Sequence, residues 1–141
     1  MKTRNKKSGF TLVELMIVAA IIAILAAIVI PLLASNRDRA VAADGQNLLG
    51  TTATALKAYY ADTGDTTPTI AELPALTQSE IGKSKYFNTP TITAVTPTSG
   101  SFTYTLSATI KAAAGSFAAG DALTLTDAGA WGGTVATKAS L

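Results

Sequence analysis

The sequence of 141 residues contains no cysteine and no histidine. The first absence excludes disulfides and thiol catalysis. The second removes the imidazole general base and, with the first, the usual Zn and Cu ligand sets. An enzyme would have to rely on Ser, Lys, Tyr or carboxylates, and the carboxylates show no close pair or recognisable catalytic spacing. No enzyme site and no cofactor are therefore expected. The lack of cysteine does not identify the redox compartment, because an exported protein can do without disulfides. Aromatic residues are also sparse, and none occurs between Phe10 and Tyr59.

The length suits one domain with an appended segment. Apolar residues make up 48% of the chain but concentrate in one block near the N-terminus, ahead of a remainder rich in Thr, Ala and Gly. The pI of about 9.0 suggests a nucleic-acid binder. However, four of the eleven basic side chains are Lys2, Arg4, Lys6 and Lys7, so without residues 1–9 seven basic groups would face nine acidic ones. That balance leaves no electrostatic footprint for DNA, and no nucleic-acid partner is expected.

Residues 10–33 read FTLVELMIVAAIIAILAAIVIPLL, with Glu14 the only charge. As a helix this run rises about 36 Å, enough to cross a hydrocarbon core of about 30 Å. The short cationic segment before it would stay in the cytoplasm by the positive-inside tendency. An ordinary secretory signal would carry a small-residue cleavage site after its apolar region, and no convincing one is present. The small residue Gly9 instead precedes the block. A cut between Gly9 and Phe10 would remove the charges and leave the apolar helix in the product.

Lys6-Lys7-Ser8-Gly9 followed by Phe10-Thr11-Leu12-Val13-Glu14-Leu15, continuing through Pro31, resembles the prepilin peptidase site and N-terminal segment of the type IV pilin and pseudopilin family. The resemblance implies a class III leader cut between Gly9 and Phe10 on the cytoplasmic side, and N-methylation of Phe10. The partners it implies are the prepilin peptidase/N-methyltransferase, membrane lipid before assembly, an inner-membrane assembly platform and identical subunits in a helical homopolymer. It also implies storage in the inner membrane and then an extracellular pilus serving adhesion, surface motility or DNA uptake. For a pseudopilin of a type II secretion system, the product would be a periplasmic pseudopilus. A third reading is a membrane-anchored binding module that never polymerises.

Glu14 is the residue hardest to explain by structure alone, because a carboxylate in a membrane helix is costly. The family resemblance supplies a partner, the Phe10 ammonium of an adjacent subunit. The plainer alternative is an anchor whose Glu14 snorkels to the headgroups. Pro31 removes a backbone donor and should kink or loosen the helix over residues 27–30. Relatives unwind locally there within filaments. Many of them have Gly where this chain has Ala23, so unwinding would rest mainly on Pro31.

The expected fold is α+β and pilin-like. After the leader (1–9) and the transmembrane and assembly helix (10–33) come an amphipathic helical stem (34–61) and a β-sheet head (62–141) packed on it. Val41, Leu48, Leu49, Leu56, Tyr59 and Tyr60 form the stem's helix-period stripe, opposite Arg39, Asn47, Thr54 and Lys57. Gly45 and Thr52 fall inside the stripe, where small residues let a sheet approach. Asp62-Thr63-Gly64-Asp65 supplies the stop. A short helix is expected near 70–76 or 78–81.

About three antiparallel strands are expected: 86–95, with Pro90 marking an edge or bulge; 102–110, with strict alternation; and 123–125. A turn at 96–100, a small-residue loop at 112–120 and a mobile polar tail complete the reading. Trp131 packing would stand in for the disulfide that closes this region in many relatives.

Weaker features have plain explanations. Asp121 and Asp127 suit turns better than a Ca²⁺ site, Lys83, Lys85 and Lys111 suit solvated positions better than a DNA-binding patch, and Tyr59 and Tyr60 suit core packing better than an aromatic conduit.

Overall fold

The computed structural model describes residues 9–65, 67–98 and 101–141, with the side chains of 75–77, 94–98 and 101 excepted. The leader up to residue 8 and the Ser99-Gly100 part of the expected turn lie outside the described residues. The chain divides into two compact units, Met1–Ser35 and Asn36–Leu141.

One helix, α1 (Leu12–Thr63), contributes to both units. In the first unit the large apolar side chains from Phe10 to Leu33 are all exposed. The run is rich in Ile and Val, whose stiff side chains weaken intrinsic helicity. An apolar surround offers the backbone no other hydrogen-bonding partner, however, and favours the helix strongly. Pro31 lies within α1, and the helix assignment is unbroken through the expected loosening at 27–30. The proline removes only one donor from the ladder, and the bonds on either side can persist.

In the second unit α1 becomes amphipathic. Val41, Gly45, Leu48, Leu49, Thr52 and Leu56 are buried, while Arg39, Asn47, Thr54 and Lys57 are exposed, as the 3.6-residue period requires. Thr52 fits this stripe because its hydroxyl donates to the Leu48 carbonyl at 2.8 Å. The helix stops at Thr63. Gly64 follows with φ of 68°, a left-handed conformation suited to glycine, and its N–H donates to the Tyr60 carbonyl.

A 3₁₀ turn (Ile70–Glu72) and α2 (Ala75–Lys83) then realise both of the alternative short helices. Four antiparallel strands follow in the order β1 (Thr91–Thr98), β2 (Ser101–Thr109), β3 (Ala122–Thr126) and β4 (Trp131–Gly132). The expected strand at 86–95 is split by Pro90, which is buried and has no donor for a ladder. Before it, Phe87 makes only an isolated bridge to Ile110. After it, β1 forms the sheet edge, with a register shift between Thr93 and Thr96.

Alternation in β2 buries Tyr104, Leu106 and Ala108, and Ile110 continues the row. These residues share one core with Leu123, Leu125, Phe87 and the stripe of α1. Each large side chain fully withdrawn from water here contributes about 1.5–3 kcal/mol. The opposite face carries half-buried Thr103, Thr105, Ser107 and Thr109.

The C-terminal region differs from expectation. In place of a mobile tail, residues Gly133–Ala139 form α3, with Val135 and Ala136 buried. Trp131 is half-buried in β4. The loop at 112–120 is also tied down, because Ala114 and Phe117 bridge and Phe117 is 2% exposed.

Lys138 closes this region. Its Nζ donates to Asp121 Oδ2 at 2.7 Å and to the Ser116 carbonyl at 3.3 Å, and the Ala118 N–H also donates to Asp121 Oδ2. The Lys138 hydrogen bond, aided by Ala118, holds the Asp121 carboxyl below its usual range.

Two measurements check this packing. A Cβ on Gly45 would lie 2.7 Å from both Leu123 Cδ2 and Phe87 Cζ, whereas one on Gly50 would meet nothing within 4 Å. Gly45→Ala should therefore lower the melting temperature despite alanine's better helix propensity. Gly50→Ala should raise it, by up to about 1 kcal/mol of stability. The lowered Asp121 pKa stabilises the fold above the ordinary carboxylate range, and that contribution is lost as pH falls through the folded value. Asp121→Asn should thus melt earlier than the parent at neutral pH, with the gap closing on acidification below about pH 4.

Candidate processing and assembly site

Gly9 and Phe10 precede the first turn of α1, and both are exposed, Phe10 at 84%. A Cβ placed on Gly9 would meet nothing within 4 Å, so none of the described residues requires glycine there. The peptide bond between them lies outside the helix.

Thr11 is the N-cap of α1 and Glu14 its third helical residue. The Glu14 N–H donates to Thr11 Oγ1 at 3.2 Å, while the Thr11 N–H and hydroxyl donate to Glu14 Oε2 at 2.8 and 3.0 Å. This reciprocal arrangement is a capping box, which satisfies two amide donors that a helix start otherwise leaves open. It gives Glu14 a role within its own chain, which the sequence reading did not recognise although Thr-x-x-Glu is the relevant signature. Both bonds end on Oε2, and Oε1 faces no donor among the described residues. Pro31 lies farther along α1 and is not part of this group.

The features of the head are used structurally. Lys83 pairs with Glu80, the Lys85 Nζ lies 5.1 Å from the centre of the Tyr86 ring, and Lys111 donates to the Ser84 carbonyl at 2.8 Å. Each of the three amines therefore has a local partner. Asp44 ties the same segment to α1, its Oδ2 accepting from the Ser84 hydroxyl at 2.8 Å and the Tyr86 N–H at 3.2 Å. A cavity of about 130 Å³ beside it is lined by Asp44, Asn47, Thr51, Glu80 and Lys83, among others.

Asp121 is occupied by Lys138, and among the described residues no group of three potential metal ligands occurs. Tyr60 stacks on Phe102 with ring centres 4.0 Å apart, and Phe102 lies 5.7 Å from Tyr104, so two half-buried rings pack outward from the buried Tyr104.

The capping box predicts a local effect. Thr11→Val removes a cap worth about 1 kcal/mol, so amide exchange at Val13 and Glu14 should accelerate several-fold in the full-length chain in detergent, with the rest of α1 unchanged.

Residues 4–30 match the family model of the prokaryotic N-terminal methylation motif. The chain is also 44% identical over 61 residues to the fimbrial protein EcpC of Eikenella corrodens, a stretch covering 43% of this chain. That stretch spans 40% of the length of this curated relative. No solved structure matches the chain at a significant level. The chain therefore carries the prokaryotic N-terminal methylation motif with its class III leader, joined to an α+β fold of one long helix and a four-stranded antiparallel sheet.

Proposed function

We propose that this chain is the structural subunit of a type IV pilus, cut by a prepilin peptidase between Gly9 and Phe10, N-methylated at Phe10 and assembled through its N-terminal helix. The observation that carries this reading is a lone carboxylate, Glu14, within a matched methylation motif, on an apolar run of helix whose large side chains are all exposed. Such a surface needs lipid or other copies of itself to cover it. Lipid before assembly and identical subunits afterwards meet that need in turn.

The cut has two electrostatic consequences. It removes the four basic side chains of the leader, which hold the N-terminus on the cytoplasmic face. It also creates an ammonium at Phe10. In the filament that ammonium pairs with Glu14 of an adjacent subunit, where the low dielectric strengthens the attraction and leaves an unpaired charge costly. Because the capping box uses Oε2, Oε1 is free to receive the ammonium while the cap stays intact. The subunit passes from the inner membrane to a surface filament that serves adhesion, surface motility or DNA uptake.

Mass spectrometry of sheared surface filaments should find a chain that begins with methylated Phe10. A filament subunit that still carries residues 1–9 would overturn the cleavage assignment. A bulky replacement of Gly9 should leave an uncut precursor. Glu14→Val should yield processed membrane protein but few filaments, and normal filament yield from that variant would remove the proposed pairing.

A further inference from the structure

Asp38 joins the stem to the 112–120 loop at one end of the head. Asp38 Oδ1 accepts from the Ser116 N–H at 2.9 Å, so the loop at 112–120 is fixed beside the helix at that level. Gly115 makes the fit close: its φ is 63°, a Cβ there would collide with the Asp38 carboxylate, and the Arg37 Cγ lies next to it. Successive helical residues are about 100° apart, so Arg37 and Arg39 point to either side of this contact.

Both arginines are exposed, and neither makes an ion pair among the described residues. The loop presents exposed Ala112, Ala113, Ala118 and Ala119 and carries no charge of its own. The nearby carboxylates are both engaged, Asp38 by Ser116 and Asp121 by Lys138.

The position along the chain gives this surface a partner. Arg37 is four residues beyond Leu33, the last of the apolar run, a rise of about 6 Å. The headgroup layer of one leaflet is about 5–7 Å thick. If residues 10–33 span the membrane, Arg37 falls at the level of the lipid phosphates on the exported side, and Arg39, about 9 Å beyond Leu33, lies just past them with a side chain long enough to reach back. A guanidinium forms forked hydrogen bonds to a phosphate, and its alkyl stem can lie along the apolar boundary. The small alanines let the loop approach that boundary without displacing bulky polar groups.

We infer that this end of the head, with Arg37 and Arg39 astride the 112–120 loop, docks on anionic phospholipid phosphates of the exported leaflet while the subunit waits unassembled. The contact would orient the head and set the depth of the helix. The inference rests on the membrane-spanning reading of residues 10–33, but not on polymerisation.

The absence of cysteine makes the test direct, because any introduced cysteine is unique. The full-length chain, labelled with an environment-sensitive fluorophore at Ala118→Cys, is reconstituted at low density into phosphatidylcholine vesicles with or without phosphatidylglycerol. A second sample carries the label at Ser107→Cys, on the outer face of the sheet. Quenching by headgroup spin-labelled lipid reads the docking equilibrium.

The loop label should be quenched more than the sheet label, and phosphatidylglycerol should widen the difference. Arg37→Gln and Arg39→Gln should each weaken docking on the anionic vesicles about fivefold, while alkaline extraction shows the helix still inserted. Equal quenching at the two labels, or quenching indifferent to both lipid charge and the arginines, would overturn the inference. So would protection of the loop label that appears only at high protein density, which would assign the surface to a second copy. Filament yield of the arginine variants, scored separately, keeps this outcome distinct from failure of the pilus reading.

Discussion

A single helix with two different surroundings is the constraint on which the rest of the structure depends. From Leu12 to about Leu33 it is apolar on every side but for Glu14, and from Val41 to Leu56 only one stripe is apolar. The backbone satisfies itself in both stretches, so the helix can pass from one regime to the other without a break. The side chains determine what covers it. A surface that is apolar all round accepts lipid or other helices equally well, because neither demands a directional contact. The stripe, by contrast, accepts one sheet in one register.

That register depends on how closely the two surfaces approach. Gly45 is the point of contact, with Leu123 from β3 and Phe87 from the segment before β1 occupying the space of its missing side chain. Phe87 and Leu123 then sit among the most buried residues of the head. Asp44, the neighbouring residue, accepts bonds from Ser84 and Tyr86 and fixes the same segment from the polar side. One turn of helix thus sets both the depth of the sheet and the path of the chain entering it.

What was legible in the sequence followed from periodicity. The two-residue alternation of β2 and the helical stripe of the stem appear as expected, because each is a repeated burial pattern over many residues. The glycine of the stop at residue 64 was equally readable from its backbone requirement. Elements too short to show a period were not. β4 has two residues, and α3 owes its docking to Val135 and Ala136 in an otherwise polar stretch. Phe117, in a loop of small residues, had no neighbours from which its burial could be read. The capping box was visible as Thr11-x-x-Glu14, but Glu14 drew attention as a charge in an apolar run, which hid its local role.

The absence of cysteine also shapes how the C-terminus is held. A disulfide closes a loop by constraining the unfolded chain, and its effect persists whatever happens to the surrounding packing. The Lys138 contact works only in the folded state, and it needs three pieces in place at once: α3, the Asp121 carboxylate and the Ser116 carbonyl. Lys138 is 37% exposed and Asp121 15%, so solvent screens the charge pair and its direct contribution is modest. Its larger effect is geometric. Ser116 is held by Lys138 at its carbonyl and by Asp38 at its N–H, so a single residue joins the C-terminal helix to the stem. The loop at 112–120 is therefore positioned from both sides, and its exposed small residues keep a defined shape above the buried Phe117.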